Sequence, residues 1–461
     1  MHRPKVVIIG GGFAGIAAAR VFRRSEVDIV LIDRTNHHVF QPLLYQVATA
    51  TLAPSDIAVP IRWMLRRFDN ARVVLGEVTE IDTERRTVTI NGGEQVESYD
   101  FLIVAAGARH AYFGHDEWET CAPGLKSLDD AVEIRRRFLT TFELAENTAD
   151  EAERAALQTI VIVGGGPTGV ELAGLMSTIA RDVMHDDFRR IDTRQTRILL
   201  LEGGSRLLSA FPANLSEEAL REVRELNVEV RLDSIVSRIE PGAVYVGDER
   251  IATHTVFWAA GNAASPLGKM LGAPLDRAGR VQVQPDLSVP GHPELFVVGD
   301  LAAITDVEGK GVPAVAPAAN QEGKRAARNI LRTLRNQERK PFRYRNKGNL
   351  ATIGRHRAIA DFGKVEFTGI VAWLLWLFVH IMYLVGFRNR LTVLLQWAWA
   401  YFAYQRGSRL ILSGTATPAA VSSLPAATVS EVRESKEMRG VTDGAARARP
   451  GAPSRVPHAR M

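Results

Sequence analysis

Two glycine-rich phrases constrain the fold of this chain more than any other feature. Each phrase begins with a short apolar run, residues 5–9 and 159–163, that is typical of a buried parallel strand. Each run leads into a G-x-G-x-x-G loop and then a helical pattern, with glycines at Gly10, Gly12 and Gly15 and again at Gly164, Gly166 and Gly169. The repeat of a whole strand–turn–helix phrase after 154 residues indicates two similar nucleotide-binding domains.

The glycine spacing has a physical reason in dinucleotide binding. The first glycine permits a tight turn, the second lets the backbone approach a pyrophosphate, and the third lets helix and strand pack closely. The helix N-terminus then offers unpaired N–H groups to the phosphates. The alternative to a dinucleotide-binding loop is a glycine-rich connector. Because an N-terminal loop of this kind most often binds FAD, we predict FAD contacts from Gly10, Gly12, Phe13, Ala14, Gly15, Asp33 and Arg34.

The second loop is predicted to bind NADH through Gly164, Gly166, Pro167, Thr168, Gly169 and Glu202. Glu202 ends the next apolar run, where a carboxylate binds ribose hydroxyls and repels a 2′-phosphate. It lies 33 residues after Gly169, beyond the usual spacing of about 20, and we interpret residues 181–196 as a helix extension. Because Arg206 is nearby, the sequence leaves open whether the cofactor carries a 2′-phosphate. Glu171 is either a carboxylate beside nicotinamide and flavin or a solvated first-turn acid.

The remaining patterns divide the chain further. Residues 72–81 and 87–90 alternate and predict antiparallel strands. Residues 101–105 and 295–298 are apolar runs that predict buried strands, and residues 314–334 predict a helix. Residues 5–9 follow the N-terminus so closely that we expect no signal or transit peptide.

Composition excludes several kinds of protein. Cys121 is the one cysteine, which rules out a disulfide framework and argues against an iron–sulfur cluster. No His, Cys and acid cluster has ligand spacing, so no metal site is predicted. The formal net charge of +5, without a recognition motif, predicts no nucleic-acid partner.

The character of the chain changes after residue 340. Residues 341–409 hold ten Lys or Arg against two acids, and four of the seven tryptophans. Residues 370–385 are uncharged but fall short of the roughly 20 residues that span a bilayer, whereas 367–387 would make a span arguable. We predict that residues 367–409 lie in a lipid surface. The alternative is a pair of buried helices at a dimer interface. Residues 413–461 predict a disordered tail.

With these motifs in place, the chain resembles the type II NADH dehydrogenases over roughly residues 4–412. The matching motifs are GGGFAG at 10–15, FQPLLYQVA at 40–48, GGGPTGVE at 164–171, LFVVGD at 295–300, ATIGR at 351–355 and GFRNR at 386–390. The resemblance implies FAD and NADH as cofactors, a membrane quinone as electron acceptor and monotopic membrane attachment. It also implies a homodimer.

The resemblance also implies roles for individual residues. FAD contacts carry over to Phe40, Gln41, Pro42, Leu43, Ala106, Gly107, Gly299 and Asp300, and NADH contacts carry over to Ala260 and Gly261. The family's quinone motif has two glutamines near a helix start. Here Gln321 matches the second, Pro317 replaces the first at the helix start, and Ala316 beside it is a predicted cofactor contact. Lys347 matches a lysine near the flavin, so Glu171 and Lys347 form a candidate proton-handling pair, or a structural ion pair.

The sequence therefore predicts an α/β fold with two Rossmann-like dinucleotide-binding domains and a C-terminal membrane-associating helical module. The predicted boundaries are 1–115 and 269–345 for the FAD-binding domain, 116–268 for the NADH-binding domain and 346–412 for the module. The predicted function is non-pumping NADH:quinone oxidoreduction on the cytoplasmic face of the inner membrane. The alternatives are a soluble-type NADH-dependent reductase of an electron-carrier protein and a membrane-bound NADH-sensing flavoprotein.

Overall fold

Two parallel sheets lie at the centre of the structure, one for each glycine-rich phrase. The computed structural model describes residues 3–384, 389–395, 397 and 409–411. Its helices are α1 Phe13–Phe22, α2 Leu44–Ala48, α3 Pro54–Ile57, α4 Ile61–Leu65, α5 Leu128–Asn147, α6 Glu151–Leu157, α7 Pro167–Thr178, α8 Ala213–Glu225, α9 Ala316–Leu334 and α10 Gly369–Tyr383.

The strands fall into three stretches of the chain. The first stretch contains β1 Lys5–Ile9, β2 Asp28–Asp33, β3 His37–Val39, β4 Ala58–Pro60, β5 Ala71–Leu75, β6 Val78–Asp82, β7 Thr87–Ile90, β8 Gln95–Ser98, β9 Phe101–Val104 and β10 Ala108–His110. The second contains β11 Thr159–Val163, β12 Arg197–Leu201, β13 Val228–Arg231, β14 Val236–Glu240, β15 Ala243–Val246, β16 Glu249–Ala252, β17 Thr255–Trp258 and β18 Asn262–Ala264. The third contains β19 Val281–Gln282, β20 Ser288–Val289, β21 His292–Val297, β22 Ala302–Ala303, β23 Asn349–Gly354, β24 Arg357–Asp361 and β25 Glu366–Thr368.

The first central sheet has the order β20-β21-β9-β1-β2-β5, and only its β20–β21 pair is antiparallel. Its central strands are rich in Val, Ile and Leu because helices and loops cover both faces. The prediction of one antiparallel strand over residues 72–81 is wrong in its first half. β5 pairs parallel with β2, and Gly76 then breaks the run before β6 joins β7 and β8 in an antiparallel sheet.

The second central sheet has the parallel order β13-β12-β11-β17. The helix α7 is prolonged by a π-helical turn over Ile179–Val183, and a loop then leads to β12. The Glu146 carboxylate stabilises this loop by accepting hydrogen bonds from the backbone N–H groups of Arg190 and Ile191. The predicted helix extension is thus a single turn, and the turn and the loop together account for the long spacing before Glu202.

The C-terminal part is a three-stranded antiparallel sheet, β23-β24-β25, with α10 packed against it. The sheet lies directly on the NADH-side helix α7, since a Cβ atom on Gly174 would fall 1.7 Å from the carbonyl oxygen of Ile353. Residues 389–395 are also helical. Residues 1–412 form one compact unit. The predicted tail at 413–461 and much of the predicted lipid-binding stretch after residue 384 lie outside the described residues.

The outer face of α10 is apolar. Its exposed side chains are Ile370, Val371, Leu374, Phe378 and Met382, whereas Ala372 and Trp376 are buried on the inner face. Within the described part of the chain, no helix has the length and apolar character needed to cross a bilayer.

Candidate functional site

The first glycine loop has the geometry that a bound pyrophosphate requires. Gly10 has a φ of +101°, which favours glycine, and a Cβ atom there would fall 2.3 Å from the Ala105 carbonyl oxygen. Gly15 packs so closely that its Cβ would lie 1.8 Å from the Gly10 oxygen. Gly12, by contrast, faces open space at the start of α1. The loop therefore fits the FAD that the sequence predicts.

Two side chains hold this loop in place. The N–H of Gly11 donates to Oδ2 of Asp33 at 2.5 Å, and Thr35 donates to the other carboxylate oxygen. The buried ring of His38 lies 2.8 Å through Nδ1 from the Gly11 carbonyl oxygen. Because a carbonyl can only accept, Nδ1 carries the proton. His38 also packs edge-on against Phe13.

Several predicted FAD contacts gather around this loop. Phe13 packs edge-on against the buried Phe40, and the adjoining residues Gln41, Pro42 and Leu43 form a short helical turn. Ala106 and Gly107 follow the end of β9, with Gly107 at a φ of +67° and open space where a Cβ would project. Ala14 contacts α9, and Arg34 is exposed.

Gly299 and Asp300 follow β21, and a buried glutamate positions their turn. The Gly299 N–H donates to Oε2 of Glu322 at 2.6 Å. Burial raises the pKa of Glu322 to about 7, against the opposing effect of that hydrogen bond. The half-buried Lys126 lies near Asp300, and burial lowers the pKa of its ammonium group. Neither Glu322 nor Lys126 belongs to a sequence motif that would have revealed it.

The glycines of the second loop have the same backbone geometry and close packing as those of the first loop. Gly164 has a φ of +111°, a Cβ on Gly169 would lie 1.8 Å from the Gly164 oxygen, and Gly166 faces open space. Pro167 and Thr168 form the first turn of α7. The Gly165 N–H donates to Oε2 of Glu202 at 2.5 Å. The structure thus places all predicted residues of this loop together.

The end of β17 forms the opposite wall of the second loop. Ala260 and Gly261 follow this strand, and Gly261 has a φ of +75°. A Cβ at Gly261 would lie 2.5 Å from the ring of Phe113, so the aromatic side chain occupies the space that glycine leaves. Arg206, whose presence left the cofactor's phosphate state open, donates to the Ser209 carbonyl.

Glu171 lies in the second turn of α7, at the junction of α7 with β23. Burial raises the pKa of Glu171 well above the usual value for a glutamate, and a hydrogen bond from the Thr352 backbone only partly opposes that rise. This arrangement contradicts the alternative of a solvated first-turn acid.

The predicted Glu171–Lys347 pair is wrong. Lys347 is exposed between α9 and β23, and its Nζ donates to the Tyr383 hydroxyl of α10 at 2.6 Å. Its ammonium group also lies 5.1 Å from the centre of that ring. Among the described residues, Glu171 has no basic side chain within salt-bridge distance. The hydroxyl group that binds Lys347 therefore belongs to the last residue of α10.

The predicted quinone motif begins α9, as expected. Ala316 is the first helical residue and Pro317 the second, so proline is accommodated where its missing N–H is tolerated. The Gln321 amide is engaged by backbone groups. Its Nε2 donates to the carbonyls of Pro317 and Arg345, and its Oε1 accepts from the Arg345 N–H, each at 3.1 Å. Gln321 therefore fixes the chain after α9.

An aromatic contact joins α10 to Phe40, which packs beside the first loop. The His380 ring packs edge-on against Phe40 at 6.2 Å and stacks on Trp376 at 4.2 Å. Its Nδ1 lies 2.7 Å from the Trp376 carbonyl oxygen and must donate to it. Burial lowers the pKa of His380 to about 4, so the ring is neutral.

A cavity opens between α2, α7, β23 and α10, and we call it the tryptophan cavity. Its walls include Trp373, Trp376 and Trp397 together with Gln46, Glu171 and Arg355. The Trp397 indole donates to Oε1 of Gln46 at 2.9 Å, and Nε2 of Gln46 donates to the Tyr45 hydroxyl. Among the described residues, the buried Trp376 indole N–H has no hydrogen-bond acceptor, at a cost of about 1–3 kcal/mol. The motif FQPLLYQVA contains Gln46, but no sequence pattern predicted this cavity.

The fold and the paired loops define a flavoprotein with two dinucleotide sites, and comparison with known proteins identifies its class. Residues 4–323 match the pyridine nucleotide-disulphide oxidoreductase family, and residues 346–404 match the NDH2 C-terminal domain. Among solved structures, NDH2 from Plasmodium falciparum in complex with NADH has a TM-score of 0.81 at 20% identity. It covers 89% of this chain and 100% of its own. The predicted fold class is confirmed.

The chain is also similar to two proteins of Mycobacterium tuberculosis. It is 46% identical to type II NADH:quinone oxidoreductase NdhA, over 89% of this chain and 90% of that protein. It is 44% identical to type II NADH:quinone oxidoreductase Ndh, with the same two coverages. The chain therefore belongs to the type II NADH:quinone oxidoreductases, as the sequence motifs predicted.

Proposed function

We propose that this chain oxidises NADH and reduces a quinone at the surface of a membrane, with FAD held at the first loop. The balanced reaction is NADH, one proton and quinone giving NAD⁺ and hydroquinone. FAD, when bound, supplies the chemistry of accepting a hydride and passing on two electrons. The contact between Phe40 and His380 carries the proposal, because it places the flavin-side motif against the helix with the apolar outer face.

The protein's own residues bind and orient the reactants. Gly10, Gly12 and Asp33 would hold FAD, and Gly164, Gly166 and Glu202 would hold NADH. The negative charge of Glu202 favours NADH over NADPH. Burial raises the pKa of Glu171 well above the usual value for a glutamate, and we assign it the donation of a proton to the reduced quinone. No protein nucleophile is needed.

The membrane role rests on α10. Five large apolar side chains are exposed along one face of this helix, while its inner face contacts the rest of the protein. Such a face is suited to the interfacial layer of a bilayer. We place the NADH site on the cytoplasmic side and infer a homodimer, as the family resemblance implies. The soluble-type reductase is disfavoured because it has no use for this exposed face.

The test is oxidation of NADH by the purified, detergent-solubilised holoenzyme with a short-chain quinone as acceptor. We expect NADH-dependent quinone reduction, with NADPH a poor donor. Reduction of ferricyanide but not of quinone would refute the quinone assignment while retaining the two dinucleotide sites. Equal rates with NADH and NADPH would refute the role of Glu202.

A further inference from the structure

We infer that Lys126 sets the reduction potential of the flavin, by placing a positive charge where it stabilises reduced FAD more than oxidised FAD. This inference rests on the proposed function, because it assumes FAD at the first loop and NADH at the second. It starts from the charges in the reaction. NADH becomes NAD⁺ when it gives up a hydride, so the flavin that accepts the hydride gains one negative charge. A fixed positive charge beside the flavin favours that product.

Lys126 lies between the segments that are predicted to contact the two cofactors. Its carbonyl oxygen accepts a hydrogen bond of 3.3 Å from Nε2 of Gln41, a predicted FAD contact. Three residues earlier, the Pro123 carbonyl accepts one of 3.0 Å from the N–H of Trp258, the last residue of β17. The predicted NADH contact Ala260 follows two residues later. Because hydride transfer requires the nicotinamide to meet the flavin ring, the place where both sets of contacts converge is the flavin end of FAD.

The backbone of Lys126 is held firmly at the start of α5. The Asp130 carboxylate accepts hydrogen bonds from the N–H groups of Lys126 and Ser127, at 2.9 and 2.8 Å. The Ser127 hydroxyl accepts in return from the Asp130 N–H and caps the helix. The preceding Leu125 is buried. Only the side chain of Lys126 is therefore free to turn, and its charge is confined to one small region of the cleft.

The ammonium group of Lys126 lacks a close anion. Among the described residues, lysine ion pairs are formed by Lys5 and Lys310 but not by Lys126. Burial lowers the pKa of the Lys126 ammonium group, and the charge of Asp300 only partly opposes that effect. Asp300 is itself a predicted FAD contact. A half-buried charge without a close partner is costly, and an anionic group beside it reduces the cost.

FAD carries two kinds of negative charge that a lysine can stabilise. The charge of the pyrophosphate is the same in both oxidation states, so a lysine there strengthens the binding of both states equally. The charge on the flavin appears only on reduction. The loop 10–15 and the N-terminus of α1 already provide for the pyrophosphate, whereas the backbone contact of Lys126 is with Gln41. The flavin is therefore the group that Lys126 serves.

The test compares Lys126→Met, which removes the charge and keeps the length, with Lys126→Arg, which keeps the charge. Each is prepared as the FAD-loaded, detergent-solubilised full chain and titrated anaerobically in a spectroelectrochemical cell, without NADH or quinone. In Lys126→Met we expect the affinity for reduced FAD, relative to oxidised FAD, to fall about tenfold. For two electrons this moves the midpoint potential about 30 mV more negative. Lys126→Arg should keep the parent potential.

A matched control and a second measurement separate this role from a structural one. Lys269→Met, at an exposed lysine of the FAD-side domain, should keep the parent potential. The Kd of each apoprotein for oxidised FAD, measured by flavin fluorescence, should change little. If Lys126→Met keeps the parent potential, the inference is wrong, and a raised Kd for oxidised FAD would then assign Lys126 to the pyrophosphate. If Lys126→Met retains no FAD, Lys126→Gln takes its place with the same expectation.

Failure of the proposed function has a different signature. If the parent holoenzyme fails to reduce quinone with NADH while the potential of Lys126→Met still shifts, the proposed function is wrong and the effect of Lys126 on the flavin stands.

Discussion

The carboxylate of Glu202 accepts a hydrogen bond of 2.5 Å from the Gly165 N–H, and its other oxygen accepts one of 2.6 Å from the Gly204 N–H. Asp33 holds Gly11 in the same manner at the first loop. In both domains, therefore, the acid at the end of the second strand has two tasks. It fixes the glycine loop from within, and it is the group that a bound ribose would meet.

Removing the charge of Glu202 should broaden the choice of cofactor. Glu202→Gln can still accept from the Gly165 N–H but no longer repels a 2′-phosphate. We expect the ratio of kcat/KM for NADPH to that for NADH to rise about tenfold or more, the value of roughly 1.4 kcal/mol. Asp33→Asn, the equivalent change at the other loop, should leave this ratio unchanged. A Glu202→Gln enzyme as selective as the parent would contradict the assignment.

Two glycines of the second loop should behave differently when changed to alanine. Gly169→Ala places a methyl group 1.8 Å from the Gly164 oxygen and should lower the free energy of unfolding by about 1–3 kcal/mol, measured by denaturant titration. Gly166→Ala meets no protein atom and should keep its stability and its flavin, but raise the KM for NADH. Equal stability of the two variants would show that the loop packs differently.

The buried Glu322 should make stability fall as the pH rises. The pKa of this carboxyl is about 7 in the folded chain, above the usual 4.5, so the folded state holds the proton more tightly than the unfolded state. Its contribution is fully present below about pH 4.5 and is lost as the pH rises through 7, amounting to at most about 3 kcal/mol. Glu322→Gln should remove this part of the pH dependence in thermal unfolding between pH 5 and 8. If the stability of Glu322→Gln depends on pH as steeply as that of the parent, this role of Glu322 is refuted.

Acidic residues on the outer face of α10 should weaken membrane binding. Phe378 is 63% exposed and Leu374 is 52% exposed, so Phe378→Glu or Leu374→Glu should fold normally. Each loses the burial of a large apolar side chain in lipid, and vesicle partitioning should fall about tenfold or more. Val96→Glu, at a valine that is 57% exposed on β8, is the control. Loss of vesicle binding by the control alone would place the lipid surface elsewhere.

Glu171 should titrate independently of Lys347. Because Lys347 is bound by Tyr383 and not by Glu171, Lys347→Met should leave the alkaline limb of the quinone-reduction rate where it is. Glu171→Gln cannot lose a proton, so that limb should disappear. The measurement is kcat against pH for the three enzymes. A limb that moves in Lys347→Met would show that the two groups interact in the working enzyme.

The glycine loops were predictable because their function depends on backbone geometry, and backbone geometry depends on which positions lack a side chain. Gly10, Gly15, Gly164 and Gly169 leave a pattern that can be recognised without knowing the fold. The same holds for Glu202, although the π-helical turn after α7 lengthens the usual spacing.

The tryptophan cavity and the partner of Lys347 were not predictable in this way. Gln46, Glu171, Arg355 and Trp376 come from four elements that are far apart in sequence, and only tertiary packing brings them together. The pairing of Glu171 with Lys347 failed for the same reason. Motif resemblance predicts the residue types at a site, but it does not determine which partner the side chain of an exposed lysine binds. The first half of residues 72–81 was misassigned for a different reason. Alternation of apolar and polar residues indicates a strand with one buried face, but it does not indicate whether that strand pairs parallel or antiparallel.

The contact between His380 and Phe40 has a practical consequence for handling this enzyme. The helix α10, whose outer face we propose to bind lipid, is also a wall of the cleft beside Phe40. Deleting α10 to obtain a water-soluble enzyme would therefore open that cleft to solvent. A soluble form has to be made by substituting polar side chains for the exposed apolar ones on the outer face of the helix. Trp376 and His380 on its inner face should be left unchanged.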